Sequence, residues 1–385
     1  MAQPDLRGLE VIEQPASGQR RKLLTFILLL IILFGLIYLY WALTKPLTVK
    51  EEAAPGIRPL FSIYSASKAS DYLNHPNAVA VAPNGDLYVA DTGNHRVVVY
   101  DQNGRFKRIL QKRASLKRVG PADFIYPLGV AVTQTGKVFV TSQYKGLIIL
   151  NPDGKLIKEI KLPGLIQAYP YKDRIYITSM GAVFVFNEKG ELVKHIGEGR
   201  GRTLGRFYAP QDVVIDTKGR LLVSDSQNMR LQIFDKRGRL IAYKGTPPKS
   251  LNDSKRLFGL GTGMTIDNQN RIYIADMLHH TIRTFTDDGD DLGEVGDQGV
   301  AEGKFNYPSD ITYLGGSTFA VADKFNDRVQ ILSINPAAGR KAGTAVARQP
   351  NRLIPILLIT IPLLLLLLLL ARQYLNRTKE AKLSF

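Results

Sequence analysis

The chain has 385 residues, 45% apolar and 22% charged, enough for two average domains and too apolar for wholesale disorder. It contains no cysteine, which excludes disulfide frameworks, zinc–thiolate sites, iron–sulfur clusters and thiol nucleophiles. Lys and Arg number 51 against 34 Asp and Glu, and the net charge of +17 favours an anionic partner: a membrane surface, nucleic acid or an acidic polymer.

Residues 1–22 read as an N-terminal tail. Residues 23–43, LLTFILLLIILFGLIYLYWAL, carry no formal charge, and a helix of that length covers about 31 Å, one hydrocarbon core. Tyr38, Tyr40 and Trp41 gather at its end, where amphipathic rings favour the headgroup level. A cleaved signal peptide would have a shorter apolar core followed by a small-x-small site, so the expectation is an uncleaved signal anchor. Arg7, Arg20, Arg21 and Lys22 precede the run, against Lys45 and Lys50 in the linker 44–58 just after it. That bias places the N-terminus in the cytoplasm.

Beyond the linker the sequence repeats itself. PNAVAVAPNGDLYVADTGNHRVVVYDQNG from Pro76 matches PQDVVIDTKGRLLVSDSQNMRLQIFDKRG from Pro210, and weaker copies begin at Pro127, Gly164, Gly261 and Pro308. Each of the two strong copies reads strand, Gly turn, strand ending in Asp, polar turn with Arg, strand, Gly turn, and the third copy, the most degenerate, has lost the polar turn after Ser179. The fifteenth residue after each start is Asp91, Ser142, Ser179, Asp225, Asp276 or Asp323. Short strands recurring every 37 to 51 residues are the pattern of β-propeller blades. Blade 1 is expected to use strands near 77–82, 86–91, 96–101 and 105–110.

The repeat resembles the NHL family, whose members fold as six-bladed propellers, over residues 59–334. The resemblance implies an all-β, six-bladed NHL-type β-propeller, flanked here by one N-terminal and one C-terminal transmembrane helix. The sixth copy supplies only three strands, ending near Ile334, so residues 60–64 (LFSIY) are expected to add its outer strand and close the ring without a free edge. The linkers 44–58 and 335–352 then leave side by side, on the face opposite the blade-connecting loops.

Segment 58–335 carries 37 basic and 28 acidic residues, net +9. Much of that excess falls in the blade-connecting loops, which makes Lys112, Arg113, Lys117, Arg118, Arg200, Arg202, Arg206, Lys249, Lys255 and Arg256 candidate binding residues. An acidic run, Asp287, Asp288, Asp290, Asp291, Glu294 and Asp297, lacks the spacing of a six-ligand calcium loop and reads as a solvated turn.

Among NHL-like propellers, the amidating lyases hold zinc with histidines from several blades, just after the Pro that opens each inner strand. Here Asn77, Leu128, Leu165, Gln211, Thr262 and Ser309 fill that place, while His75, His95, His195, His279 and His280 do not share it. The zinc triad is absent. Asn77, Gln211, Asp212, Thr262, Ser309 and Asp310 are candidates to line the channel, and sugar lactonase-like propellers use channel carboxylates for a divalent metal such as Ca²⁺. The recurrent Asp read as structural, accepting turn N–H bonds and pairing with Arg96, Arg230 and Arg328. Phe124, Tyr126, Phe207 and Tyr208 precede a Pro or lie near one and are expected to pack between blades.

Residues 353–371, LIPILLITIPLLLLLLLLA, form a second apolar run, and 372–385 a basic tail. Its basic flanks tie, but two spans put both termini on one side, in the cytoplasm, and the propeller outside it. The leading expectation is a membrane-anchored extracytoplasmic propeller acting as a protein-binding or scaffolding module without a cofactor, its basic loops meeting an anionic protein or cell-envelope polymer. One alternative is a metal-dependent lactonase- or lyase-type enzyme with its site in the channel. A second is an accessory or sensory subunit of a membrane complex. Nucleic acid is not the expected partner on the outside of a membrane.

Overall fold

In the computed structural model the described residues are 30, 32–35, 37–38, 54–110, 126–142, 144–162, 164–245 and 258–339. Residues 32–35 are helical, as are 30, 37 and 38. No helix among the described residues is long and apolar enough to cross a membrane. The expected span at 353–371, and most of the one at 23–43, lie outside the described residues. The chain divides into two units, 1–52 and 53–385, and the ring belongs to the second.

Twenty-four strands form six four-stranded antiparallel sheets. Blade 1 is β2 (Pro76–Val81), β3 (Leu87–Asp91), β4 (Arg96–Tyr100) and β5 (Phe106–Leu110), each expected boundary holding to within a residue. Blade 2 is β6 (Pro127–Val132), β7 (Val138–Ser142), β8 (Gly146–Leu150) and β9 (Leu156–Ile160). Blade 3 is β10 (Leu165–Tyr171), β11 (Arg174–Ser179), β12 (Val183–Asn187) and β13 (Leu192–Ile196). Blade 4 is β14 (Asp212–Ile215), β15 (Leu221–Asp225), β16 (Arg230–Phe234) and β17 (Leu240–Lys244), and blade 5 is β18 (Gly261–Ile266), β19 (Ile272–Asp276), β20 (Thr281–Phe285) and β21 (Asp291–Val295). Blade 6 joins β22 (Pro308–Gly315), β23 (Thr318–Asp323) and β24 (Arg328–Ile334) to β1 (Ile57–Ile63) from the other end of the ring.

The ring therefore closes as expected, with Ile57 paired to Ile334 and Ile63 to Val329. Beyond the pairing, the Asn335 N–H donates to the Gly56 carbonyl at 2.8 Å, so the residues just before β1 and just after β24 lie side by side. Antiparallel alternation puts the blade-connecting loops and the turns between second and third strands on one face, hereafter the loop face. The other two turns of each blade, the start of β1 at Ile57 and the end of β24 at Ile334 lie on the hairpin face.

Each apolar cluster lies between two neighbouring blades. Val97, Val99 and Leu110 of blade 1 meet Val130, Val140 and Ile148 of blade 2, and equivalent clusters fill the other five interfaces. A sheet covered on both faces reads as a continuous apolar run, which is why β4 and β8 are buried at every position instead of at alternate ones.

Three blades share a buried ionic knot that fixes the incoming loop. In blade 4, Arg230 Nε donates to Asp225 at 2.7 Å, and both side chains are almost fully buried. The remaining guanidinium nitrogens donate to the carbonyls of Arg202, Thr203 and Arg206. Gln232 adds a bond to the Arg206 carbonyl and accepts the Gly205 N–H. Arg328 does the same for blade 6 through Asp323 and the carbonyls of Ala301 and Lys304. Arg96 pairs with Asp91 and reaches back to Asp71 and the Tyr72 carbonyl. The aspartates were expected to cap their own turns. Their N–H partners instead come from the incoming loop, at Asn74, Tyr208 and Asn306, because the Asp backbone sits outside a capping conformation.

Removing one member of a buried pair strands the other, at a typical cost of about 3–5 kcal/mol. Arg230→Met should therefore lower unfolding free energy by that order in chemical denaturation. It should also speed hydrogen exchange of the amides in 199–207 selectively; unchanged exchange there would show that the loop does not depend on the knot.

Candidate functional site

The loop face starts where each inner strand starts. His75, Tyr126, Ala209 and Tyr307 each stand just before the inner-strand Pro with φ between 49° and 59°, the left-handed region. Each sends its N–H to the second-to-third-strand turn of the preceding blade: to Asp327, His95 Nδ1, the Met180 carbonyl and His280 Nδ1 respectively. His95 and His280 thus do share a frame, as acceptors for the next blade, and their Nδ1 atoms are engaged there. Burial pushes the His280 imidazole down, consistent with a neutral ring.

Rings gather around the same mouth. Tyr126 stands edge-on to His95 at 4.4 Å and tilts toward Tyr144, while His75, Phe325, Tyr307 and His280 make a second chain of contacts at 4.7–5.2 Å. Phe207 is buried between blades 3 and 4, as expected, but Tyr126 is exposed. Half-buried Lys324 lies at the same mouth, its Nζ bonded to Asn77 Oδ1 at 2.9 Å, and burial pushes its ammonium down. Sequence reasoning passed over it, although it is the residue right after the recurrent Asp323.

Of the candidate basic residues, Arg200, Arg202 and Arg206 are exposed on the loop whose carbonyls Arg230 holds, and the Arg200 guanidinium lies 4.7 Å over the Tyr208 ring. Lys112, Arg113, Lys117, Arg118, Lys249, Lys255 and Arg256 lie outside the described residues. The acidic run is no free patch. Asp287 and Asp288 pair with Lys218 and Arg220 of blade 4, Asp290 pairs with Lys244, and Asp291 with Arg283. The bonds from Lys218, Arg220 and Lys244 clamp blade 4 to blade 5, and the one from Arg283 lies within blade 5.

The channel candidates divide into two levels. Nearer the loop face, Asn77, Thr262 and Ser309 turn sideways and donate to carbonyls of the next blade, at Leu128, Pro308 and Pro76. Gln211 makes only a long bond to the Ala209 carbonyl. Two residues into each inner strand stand Ala78, Gly129, Gln167, Asp212, Gly263 and Asp310, which form the waist. Gln167 Nε2 donates to Asp310 Oδ2 at 3.0 Å, from blade 3 to the diametrically opposite blade 6. That bond plugs the channel.

The waist carboxylates also stitch blades together. Asp310 accepts the N–H groups of Ile311 and of Val79 in blade 1; Asp212 accepts those of Val213 and of Met264 in blade 5. Gly129 and Gly263 leave the room these side chains occupy: a Cβ at Gly129 would lie 2.8 Å from Gln167 Cα, and one at Gly263 would run into Asp310. Burial pushes Asp310 up to about 7, against the pull of its donors, and burial plus the Asp310 charge pushes Asp212 well above the carboxylate range.

Gln167 was missed because the third copy had been aligned to begin at Gly164. In the structure Leu165 pairs with Ser179 as Pro76 pairs with Asp91, so the hairpin is one residue shorter and Ile166, not Leu165, follows the strand start. Matching the apolar Ala168 to Val79 would have found it. No group of three or more His, Asp or Glu placed to hold a metal ion occurs among the described residues.

The family profile for the NHL repeat matches residues 73–100 and 207–234, which span the knots Asp91–Arg96 and Asp225–Arg230. The chain carries NHL repeats. It is 28% identical over 167 residues to Protein brain tumor of Drosophila melanogaster, covering 43% of this chain and 12% of that one. It is 27% identical over 166 residues to B-box type zinc finger protein ncl-1 of Caenorhabditis elegans, covering 43% and 14%. With NHL repeat-containing protein 3 of Homo sapiens the identity is 23% over 175 residues, covering 40% and 49%. The shared region is therefore half or less of each relative's length. Among solved structures, a protein of unknown function from Bacteroides thetaiotaomicron matches with TM-score 0.53 and 18% identity over 74% of this chain and 77% of that one. Virginiamycin B lyase from Staphylococcus aureus matches with TM-score 0.50 and 11% identity over 71% and 99%. These likenesses show the fold alone.

The NHL waist has a pH signature. An unfolded Asp titrates near ~3.9, whereas Asp212 in the ring holds its proton to higher pH. Across that window the native state binds a proton that the unfolded chain has released, so this term weakens stability as pH rises. Burial also raises Asp91, Asp225 and Asp323, so the test compares variants. From pH 4.5 to 7 the wild-type unfolding midpoint should fall more steeply than that of Asp212→Asn; parallel curves would show that the carboxyl titrates normally.

Proposed function

We propose that this protein is a membrane-anchored scaffold whose NHL propeller binds an acidic protein surface through its loop face. The observation that carries the reading is the loop 197–207. It presents Arg200, Arg202 and Arg206 to solvent while Arg230 and Gln232 hold its backbone from beneath, so the charges need little ordering on binding. The exposed aromatic arc beside the mouth adds the rigid amphipathic surface that protein interfaces favour. The NHL repeats and the NHL-repeat relatives agree with a protein-binding platform. The apolar runs at 23–43 and 353–371 and their basic flanks support two spans with cytoplasmic ends, which would put the loop face away from the bilayer.

The metal-dependent enzyme alternative would need channel ligands beyond Asp212 and Asp310, whose oxygens already receive five N–H bonds. The surface reading predicts salt-dependent binding of poly-L-glutamate, used as an acidic probe, to the full-length protein in detergent. Arg200, Arg202 and Arg206 replaced together by Ala should weaken it about tenfold or more and flatten its salt dependence. Equal binding by that variant would reduce the face to solvated surface, and preference for an envelope polyphosphate over the polypeptide would replace the protein partner. For topology, a reporter fused after Phe385 should be active in the cytoplasm; an external signal overturns the orientation.

A further inference from the structure

Behind the Gln167–Asp310 plug the channel continues toward the hairpin face as a blind cavity of about 230 Å³, lined by residues of all six blades. Its lining is polar and apolar in nearly equal measure, with Val81, Pro170 and Ile266 among the apolar residues and Thr265, Thr312, Tyr169 and Tyr313 among the others. Its floor holds the carboxyls of Asp212 and Asp310. None of the lining residues is basic.

A carboxylate offers about four lone-pair directions. Asp212 uses two, for Val213 and Met264, and Asp310 uses three, for Ile311, Val79 and Gln167. About three acceptor directions therefore remain on the two groups, and a primary ammonium has three N–H donors. A divalent metal such as Ca²⁺ would want six or more oxygens, which this floor does not supply. The cavity is also smaller than the roughly 300–1,000 Å³ typical of drug-sized ligands, so its occupant has few heavy atoms.

We propose that this blind pocket binds a small primary alkylammonium ion, its NH₃⁺ group on Asp212 and Asp310 and its short alkyl chain against the apolar part of the lining. This site is separate from the loop face: it opens on the opposite side of the plug and needs none of Arg200, Arg202 or Arg206. The six inner strands that meet there contribute Asp212, Asp310, Tyr169, Tyr171 and Tyr313 as their titratable groups. Burial, then the Asp212 charge, pushes Tyr169 up to about 12, so it stays protonated. The proton that moves is the one the buried carboxyls hold, since burial pushes the titration of both upward. An entering ammonium replaces it, and binding releases a proton to solvent near neutral pH.

The probe is n-butylammonium chloride, added to the full-length protein in detergent micelles and followed by titration calorimetry and thermal unfolding. Saturable stabilisation is expected, with a heat that varies with the buffer's ionisation enthalpy, as proton release requires. Asp212→Asn should weaken the affinity about tenfold or more. Val81→Trp, which fills the cavity without touching the carboxyls, should abolish binding while leaving poly-L-glutamate binding at the loop face intact. The proposal falls if n-butanol or butyrate stabilises as well as butylammonium, or if Ca²⁺ alone does so. It also falls if butylammonium binds Val81→Trp unchanged, or gives no saturable effect on wild type up to about 10 mM.

Discussion

A four-stranded blade is too thin to own a core. Each sheet here must cover both faces with its neighbours, so no blade is stable until the ring shuts, and the last interface is made by a strand from the other end of the ring. Ile63 of β1 packs with Val79 and Val98 of blade 1, while Ile57 packs with Tyr273 and Val295 of blade 5. One seven-residue strand thus completes two interfaces. Closure also brings the two ends of the ring together, because β1 begins where β24 ends.

Closure leaves the loop face to be ordered by polar chemistry. The knots at Asp91–Arg96, Asp225–Arg230 and Asp323–Arg328 take a cation out of water and use its whole fork, one nitrogen on the carboxylate and the rest on loop carbonyls and, at Arg96 and Arg328, a second acid. Arginine suits this because its donors diverge in a plane. In blade 5, where Thr281 stands at the arginine position, His279 bonds Asp276, and Asp276 accepts the N–H groups of Gly259 and Leu260 at the end of the incoming loop.

Much of this was legible in the sequence, because repetition reports geometry without regard to chemistry. The copies from Pro76 and Pro210 fixed the strand order, and the short sixth copy foretold the closing strand at 60–64, found at Ile57–Ile63. The site was harder to read for the same reason. Repetition marks what blades have in common, whereas the waist is defined by what differs: Ala78, Gly129, Gln167, Asp212, Gly263 and Asp310 occupy one position with four different residues. A one-residue shortening in blade 3 hid Gln167 altogether. Asn77, Thr262 and Ser309 stood at channel-facing positions in the sequence but satisfy the carbonyls of adjoining blades, since an inner-strand carbonyl next to the axis has few other donors.

The asymmetry of the waist has a further consequence for how the two faces can work. Six equal small residues would leave an open pore joining them; the Gln167 side chain crosses to Asp310 only because Gly129 and Gly263 give way beside these two residues. The plug is held by Ala168, Val79 and Ile311 through their backbone amides, so it belongs to the rigid ring and not to a loop that could swing. Solutes on the loop face and solutes in the blind cavity therefore do not exchange through the axis. With Arg200, Arg202 and Arg206 on one side and the cavity on the other, one ring presents two chemically different surfaces, one cationic and one with a carboxyl floor, insulated by a single amide–carboxylate bond.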